Sequence, residues 1–157
     1  MVEFWFSYRD RHMEYDEFIE HVQEIAELDS VEQAVGAVEA TLGTLGEMLS
    51  PKERHDLAAQ LPKPLKECFS TWMERPPKEL THPHRFNLEE FYHRVAARSD
   101  VRHRAAVRHS RAVMQILRQA VSEGELRDVL RELPDEDEEL VNGKPRGPAS
   151  PSIVEKR

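Results

Sequence analysis

Apolar residues recur along this chain at helical spacing, and they do so in two series. Tyr15, Phe18, Ile19, Val22, Ile25 and Ala26 follow the i, i+3, i+4, i+7 rule of one helix face. Leu88, Phe91, Tyr92 and Val95 repeat it further along. A longer stripe, Val31, Val35, Val38, Leu42, Leu45 and Leu49, predicts a second, long helix. Its later counterpart is Val107, Met114, Leu117 and Val121, thickened by Val113 and Ile116. No strand is predicted. The pattern predicts an all-α protein of about eight helices.

Start and stop signals agree. Ser50-Pro51-Lys52-Glu53 reads as a capping box with proline at the first helical position. The serine oxygen is expected to take an orphan N–H, and the glutamate to reach back to the cap. Ser122-Glu123-Gly124-Glu125 repeats the signal. The short helices that follow run through Leu57 or Val129 toward Leu61 or Leu133, and Pro62 or Pro134 stops them, because proline disfavours helical geometry in the residue before it. A last short helix follows, with Leu65 and Phe69 as its contacts in the first series.

The two series align. Glu17-Phe18 and Val22 return as Glu90-Phe91 and Val95 at an offset of 73. Ala34-Val35, Ala40, Leu45, Ser50, Glu53, Asp56, Leu61-Pro62 and Glu67 return as Ala106-Val107, Ala112, Leu117, Ser122, Glu125, Asp128, Leu133-Pro134 and Glu139 at an offset of 72. The expected architecture is two tandem pseudo-symmetric helical repeats of about four helices each, residues 14–69 and 88–141. Each repeat alone would bury too little surface to be stable, so they are expected to share one core or to dimerise. Between them lies a proline-stiffened linker, 70–87, with Pro76-Pro77 and His82-Pro83-His84. Residues 1–13 read as an extension, with Met13 an alternative start, and 142–157 as a disordered Gly/Pro/Ser/Lys-rich tail.

The quoted segments resemble a known family. Tyr15-Asp16-Glu17-Phe18, Leu49-Ser50-Pro51-Lys52-Glu53, Asp56-Leu57-Ala58-Ala59-Gln60-Leu61-Pro62, Phe86-Asn87-Leu88-Glu89-Glu90-Phe91 and Val121-Ser122-Glu123-Gly124-Glu125-Leu126 are similar to the prokaryotic family called domain of unknown function 2267. The resemblance runs from residue 14 to about 141. It implies a duplicated all-helical domain without established activity, and it carries over no catalytic residue. Glu132-Leu133-Pro134 departs slightly from Gln60-Leu61-Pro62.

Charge changes the picture, because the net −8 is unevenly spread. Residues 1–80 hold 8 basic and 17 acidic side chains, whereas 81–120 hold 8 basic side chains, all arginine, and 3 acidic. Arg104, Arg108, Arg111 and Arg118, with Gln115 in the gap, form one helical stripe away from the apolar one. The same positions in the first series are Glu32, Gly36, Glu39, Gly46 and, for Gln115, Gly43. Three readings of the stripe stand open. It is a solvated face. Or it docks on the other long helix, within the chain or across a dimer, with Gly36, Gly43 and Gly46 admitting arginines that Glu32 and Glu39 pair. Or it binds an anion, nucleic acid or a phosphorylated partner, a reading that the acidic flanks weaken.

Candidate chemistry is sparse. The single cysteine, Cys68, rules out an internal disulfide, points to a reducing cytoplasm and reads as a small core residue. No apolar run approaches the ~18 residues of a membrane span, so no membrane partner is expected. Val2–Tyr8 is too short and too poor in preceding positive charge for a signal peptide. Of eight histidines, His103 and His109 lie about 240° apart on a helix. Glu90-Phe91-Tyr92-His93 has the Glu-x-x-His form of di-iron bundles but would face water. The histidines therefore read as surface residues, with His82 and His84 leaving room for adventitious coordination only. There is no Gly-x-Gly-x-x-Gly, P-loop or His-Glu-x-x-His. The acids of 135–139 read as a solvated helix start.

The expectation is a non-enzymatic protein with no cofactor, no metal and no catalytic residue. It binds another protein, or its own copy, through Arg104, Arg108, Arg111 and Arg118, with Glu32, Gly36, Glu39 and Gly43 as counterpart. The alternative is anion or nucleic-acid binding by the same arginines.

Overall fold

A computed structural model describes residues 13–69 and 86–133. The expected extension before Met13, most of the linker, the last short helix of the second series and the tail fall outside the described residues. Seven helices, and no strand, occur among the described residues: α1 (Tyr15–Ile25), α2 (Val31–Met48), α3 (Pro51–Ala58), α4 (Lys63–Cys68), α5 (Leu88–Ser99), α6 (His103–Ala120) and α7 (Glu123–Glu132).

Short polar residues start most of them. Ser30, Ser50, Asn87 and Ser122 each accept a hydrogen bond from the backbone N–H three residues on, which satisfies one of the orphan donors of a first turn. Non-glycine residues in left-handed geometry follow α1 and α5: Glu27 with φ 56° and Asp100 with φ 57°. Proline does not end α3 where the sequence placed its stop. The helix closes at Ala58, and Pro62 caps the start of α4 instead.

The long helices α2 and α6 pack on each other at the centre. Helices α1 and α5 each touch both of them, α4 lies on α2, and α3 lies on α7. Phe18, Val22, Leu42, Leu45, Phe91, Val95, Met114 and Leu117 belong to one continuous buried cluster. Burying an aliphatic or aromatic side chain of this kind stabilises by about 1.5–3 kcal/mol each, before the cost of ordering it. The apolar stripe of α2 widens into full burial over Thr41–Gly46, but Val31 in its first turn is 50% exposed, because cover begins only at Ala34. Gly46 is needed for close approach: a Cβ there would sit 2.6 Å from the Phe69 carbonyl oxygen.

Candidate functional site

Helix α6 presents the arginine stripe. Arg104, Arg108 and Arg118 are exposed, and they make no ion pair with any described residue. Arg111 is half-buried and engaged. Between this face and the end of α1 runs a shallow groove with Arg104, Arg108 and Arg111 on its rim and Val107, Ala112 and Ile25 on its floor. Ile25 is 39% exposed, an apolar contact point beside the cations.

Arg108 also borders a second cleft, where the α1–α2 turn and the start of α2 face the α5–α6 turn. Glu32 and Gly36 line it, so the structure brings Arg108, Glu32 and Gly36 together. A Cβ on Gly36 would meet nothing within 4 Å. The other counterparts lie elsewhere. Glu39 sits where its charge raises the Tyr15 phenol and the Cys68 thiol, after burial, the larger cause in both. Gly43 is buried in α2. Gly46, which the docking reading offered to an arginine of the stripe, is taken by the Phe69 carbonyl and by Arg54, whose Nη1 donates to the Gly46 carbonyl at 3.0 Å.

His109 corrects the reading of the histidines as surface residues. It is 6% exposed at the floor of the second cleft, its Nδ1 has no hydrogen-bond partner, and burial, then the charge of Arg108, holds its pKa below the ordinary value. The helical spacing separated it from His103; the closeness of α2 encloses it. His93 is exposed as expected, and Glu90 near it pairs with Arg94 at 2.8 Å. His103 is exposed, 3.3 Å from Glu89, with its ring edge-on to Tyr92. His82 and His84 lie outside the described residues. Cys68 is buried, its Sγ donates to the Pro64 carbonyl at 3.4 Å, and burial, with Glu39 and Glu67, pushes the thiol up to about 12. A thiol so shifted is a packing group at neutral pH, not a nucleophile.

Two charged clusters were not legible in the sequence. At the α2–α5 seam Glu47 receives a fork from Arg98, Nη1 to Oε1 and Nη2 to Oε2, both at 2.9 Å. Arg94 adds a bond at 3.2 Å, and its guanidinium lies 4.0 Å over the Phe86 ring. Arg98 also donates to Thr44 Oγ1 at 2.8 Å. The only available signal was weak: two arginines four apart on α5 and a lone acid at the small-residue end of α2.

The second cluster joins α3 and α7. The expected capping boxes are only half formed. Ser50 and Ser122 cap their helices, but Glu53 and Glu125 do not reach back. Instead Ser50 N–H donates to Glu132 Oε1 at 2.7 Å and Ser50 Oγ–H to Oε2 at 2.8 Å. Ser122 N–H donates to Gln60 Oε1 at 2.8 Å. Each cap is thus completed from the other helix. Released from that duty, Glu53 and Glu125 turn inward, each 7% exposed, with Oε2 of both enclosed and, among the described residues, without a hydrogen-bond partner other than each other. Carboxylate oxygens of Glu53, Glu125 and Asp128 lie within 4.8 Å of one another. Burial, then Glu53 and the nearby aspartates, raises the Glu125 carboxyl to about 8. Asp56 and Asp128 are drawn outward by Lys52 at 2.9 Å and Arg131 at 2.7 Å.

Among the described residues no helix is long and apolar enough to cross a membrane. A family model described as an uncharacterized conserved protein, DUF2267, matches residues 15–140. No curated protein matches the chain. With most of its length matched, the chain belongs to the DUF2267 family.

Proposed function

We propose that this protein is a non-enzymatic interaction module that docks an acidic face of another protein on the groove between α1 and α6. The observation that carries the reading is the exposure of Arg104 and Arg108, without ion-pair partners among the described residues, beside apolar positions that include Ile25. Guanidinium groups around an apolar anchor point are the composition of protein contact surfaces. Glu27, Asp29 and Glu32 line the adjoining cleft that Arg108 also borders, so the positive field is confined to the α6 groove; an extended polyphosphate backbone would run on into those acids, whereas a localised acidic face of a folded partner need not. A cytoplasmic setting agrees with a lone buried thiol.

The scaffold of this module is, in the same reading, a duplication, with repeats 14–69 and 88–141 related by a pseudo-two-fold. Three pairs support it. Glu27 and Asp100, 73 apart, both take left-handed geometry. Gln60 completes the Ser122 cap while its counterpart Glu132, 72 further on, completes the Ser50 cap. Glu53 meets Glu125 at the same offset.

The test is a titration of the full chain against an array of acidic peptides carrying an aliphatic or aromatic anchor, and against RNA and duplex DNA, across a salt series. Salt-sensitive peptide binding, weakened at least about tenfold by Arg104→Ala with Arg108→Ala, a loss of about 1.4 kcal/mol, supports the reading. Tighter binding to RNA or DNA with a steep salt slope replaces it by the anion-binding alternative. A doubled mass in light scattering that the same substitutions abolish makes a second copy the occupant. No binding and a monomeric mass overturn it.

A further inference from the structure

Glutamates at the third position of a helix ordinarily turn back to the cap. At the α3–α7 seam Glu132 and Gln60 have taken that place, and Glu53 and Glu125 are left facing each other inside the protein. Among the described residues their enclosed Oε2 atoms find no donor beyond a proton held between the two carboxyls. A buried carboxylate without a donor or counter-charge is costly, and two together are costlier.

We propose that this seam binds a single hard divalent cation, of the calcium or manganese class, between Glu53, Glu125 and Asp128. The charge balance points to a divalent ion. Lys52 pairs with Asp56 and Arg131 with Asp128, so among the described residues the two glutamates are the buried carboxyls of this seam left without a cationic partner. The geometry admits such an ion. Carboxylate oxygens no more than 4.8 Å apart fit within a calcium shell at about 2.3–2.6 Å, and calcium tolerates irregular ligand placement, whereas magnesium demands near-ideal octahedral geometry and gives up its water reluctantly. The donor set is oxygen only, which disfavours zinc and copper. Each glutamate comes from a different helix, so the ion would clamp α3 to α7 and tie the two halves of the chain where their caps already cross. Water completes the shell.

The test uses the full chain, stripped with a chelator and then titrated with CaCl2, MnCl2 or MgCl2 by calorimetry and thermal unfolding. The expected result is one ion per chain, a rise of several degrees in Tm with calcium or manganese, a smaller rise with magnesium, and loss of the rise in Glu53→Gln and Glu125→Gln but not in Arg108→Ala. Should either glutamine variant fail to fold, Mn2+ broadening of backbone amide signals in the unaltered protein reads the site directly: broadening centred on residues 51–58 and 123–132 supports it. Broadening scattered over the acidic surface overturns it. So does a Tm that ignores the metals while Glu125→Gln is simply more stable, since the two carboxyls then share a proton only.

Discussion

The α2–α5 and α3–α7 seams both enclose glutamate, and they resolve its charge in opposite ways. At α2–α5, Glu47 sits in the fork of Arg98, with Arg94 behind. At α3–α7, Glu53 and Glu125 face each other, while Lys52 and Arg131 on the same helices pair with Asp56 and Asp128. One seam is complete as it stands. The other is satisfied only by a proton or an added cation. A carboxylate at a helix contact therefore says little by itself, and the partner arriving from the other helix decides whether it is cement or site. The arginines divide in the same way: Arg94 and Arg98 of α5 are consumed internally, while Arg104, Arg108 and Arg118 of α6 face outward.

The largest expected effect tests the completed seam. Arg98→Ala leaves Glu47 with Arg94 alone and Thr44 Oγ1 without its donor. Because both ionic partners keep some exposure, at 18% and 14%, the loss is expected near the lower bound for a broken buried pair, about 3 kcal/mol, read as a lower denaturant midpoint. A loss under about 1 kcal/mol would put this pair with ordinary surface bridges.

Glu125→Gln should act in the opposite direction. In chelator-treated protein the raised carboxyl contributes its full stability below the unfolded value near 4.3 and loses it as pH rises through about 8. The unaltered protein should therefore weaken across that window, and the variant should hold level, gaining about 1 kcal/mol at its upper end. A midpoint independent of pH in both proteins would mean that the pair is not strained.

A further comparison separates the two crossed caps. Glu132→Ala removes a charged acceptor from both the N–H and hydroxyl of Ser50, whereas Gln60→Ala removes a neutral one from Ser122. Charge-assisted bonds are roughly twice as strong, so the expected costs are about 2 and about 1 kcal/mol. Equal costs would deny the asymmetry.

Local signals carried much of this molecule. Phe18, Val22, Leu42, Leu45, Phe91 and Val95 lie on stripes whose period alone marks a helix, and all are buried. Ser50 and Ser122 announce their helix starts through chemistry confined to one turn. Where the partner lies far along the chain, that logic stops. The local pattern assigns Glu53 to its own cap, yet the bond it would make goes to Glu132, 82 residues from Ser50. It reads His109 as a surface residue, and α2 closes over it. It sets Gly46 among positions for arginine, and the Phe69 carbonyl fills the space.

By itself, then, the sequence determined the helices, their apolar faces and the family, since these depend on residues one to four apart and on a pattern spread along the chain. Only the tertiary structure decided which charges cancel and which remain. Pairing depends on distances of a few ångströms between residues that the chain separates by dozens, and the hydrophobic burial that brings helices together is indifferent to which polar group meets which.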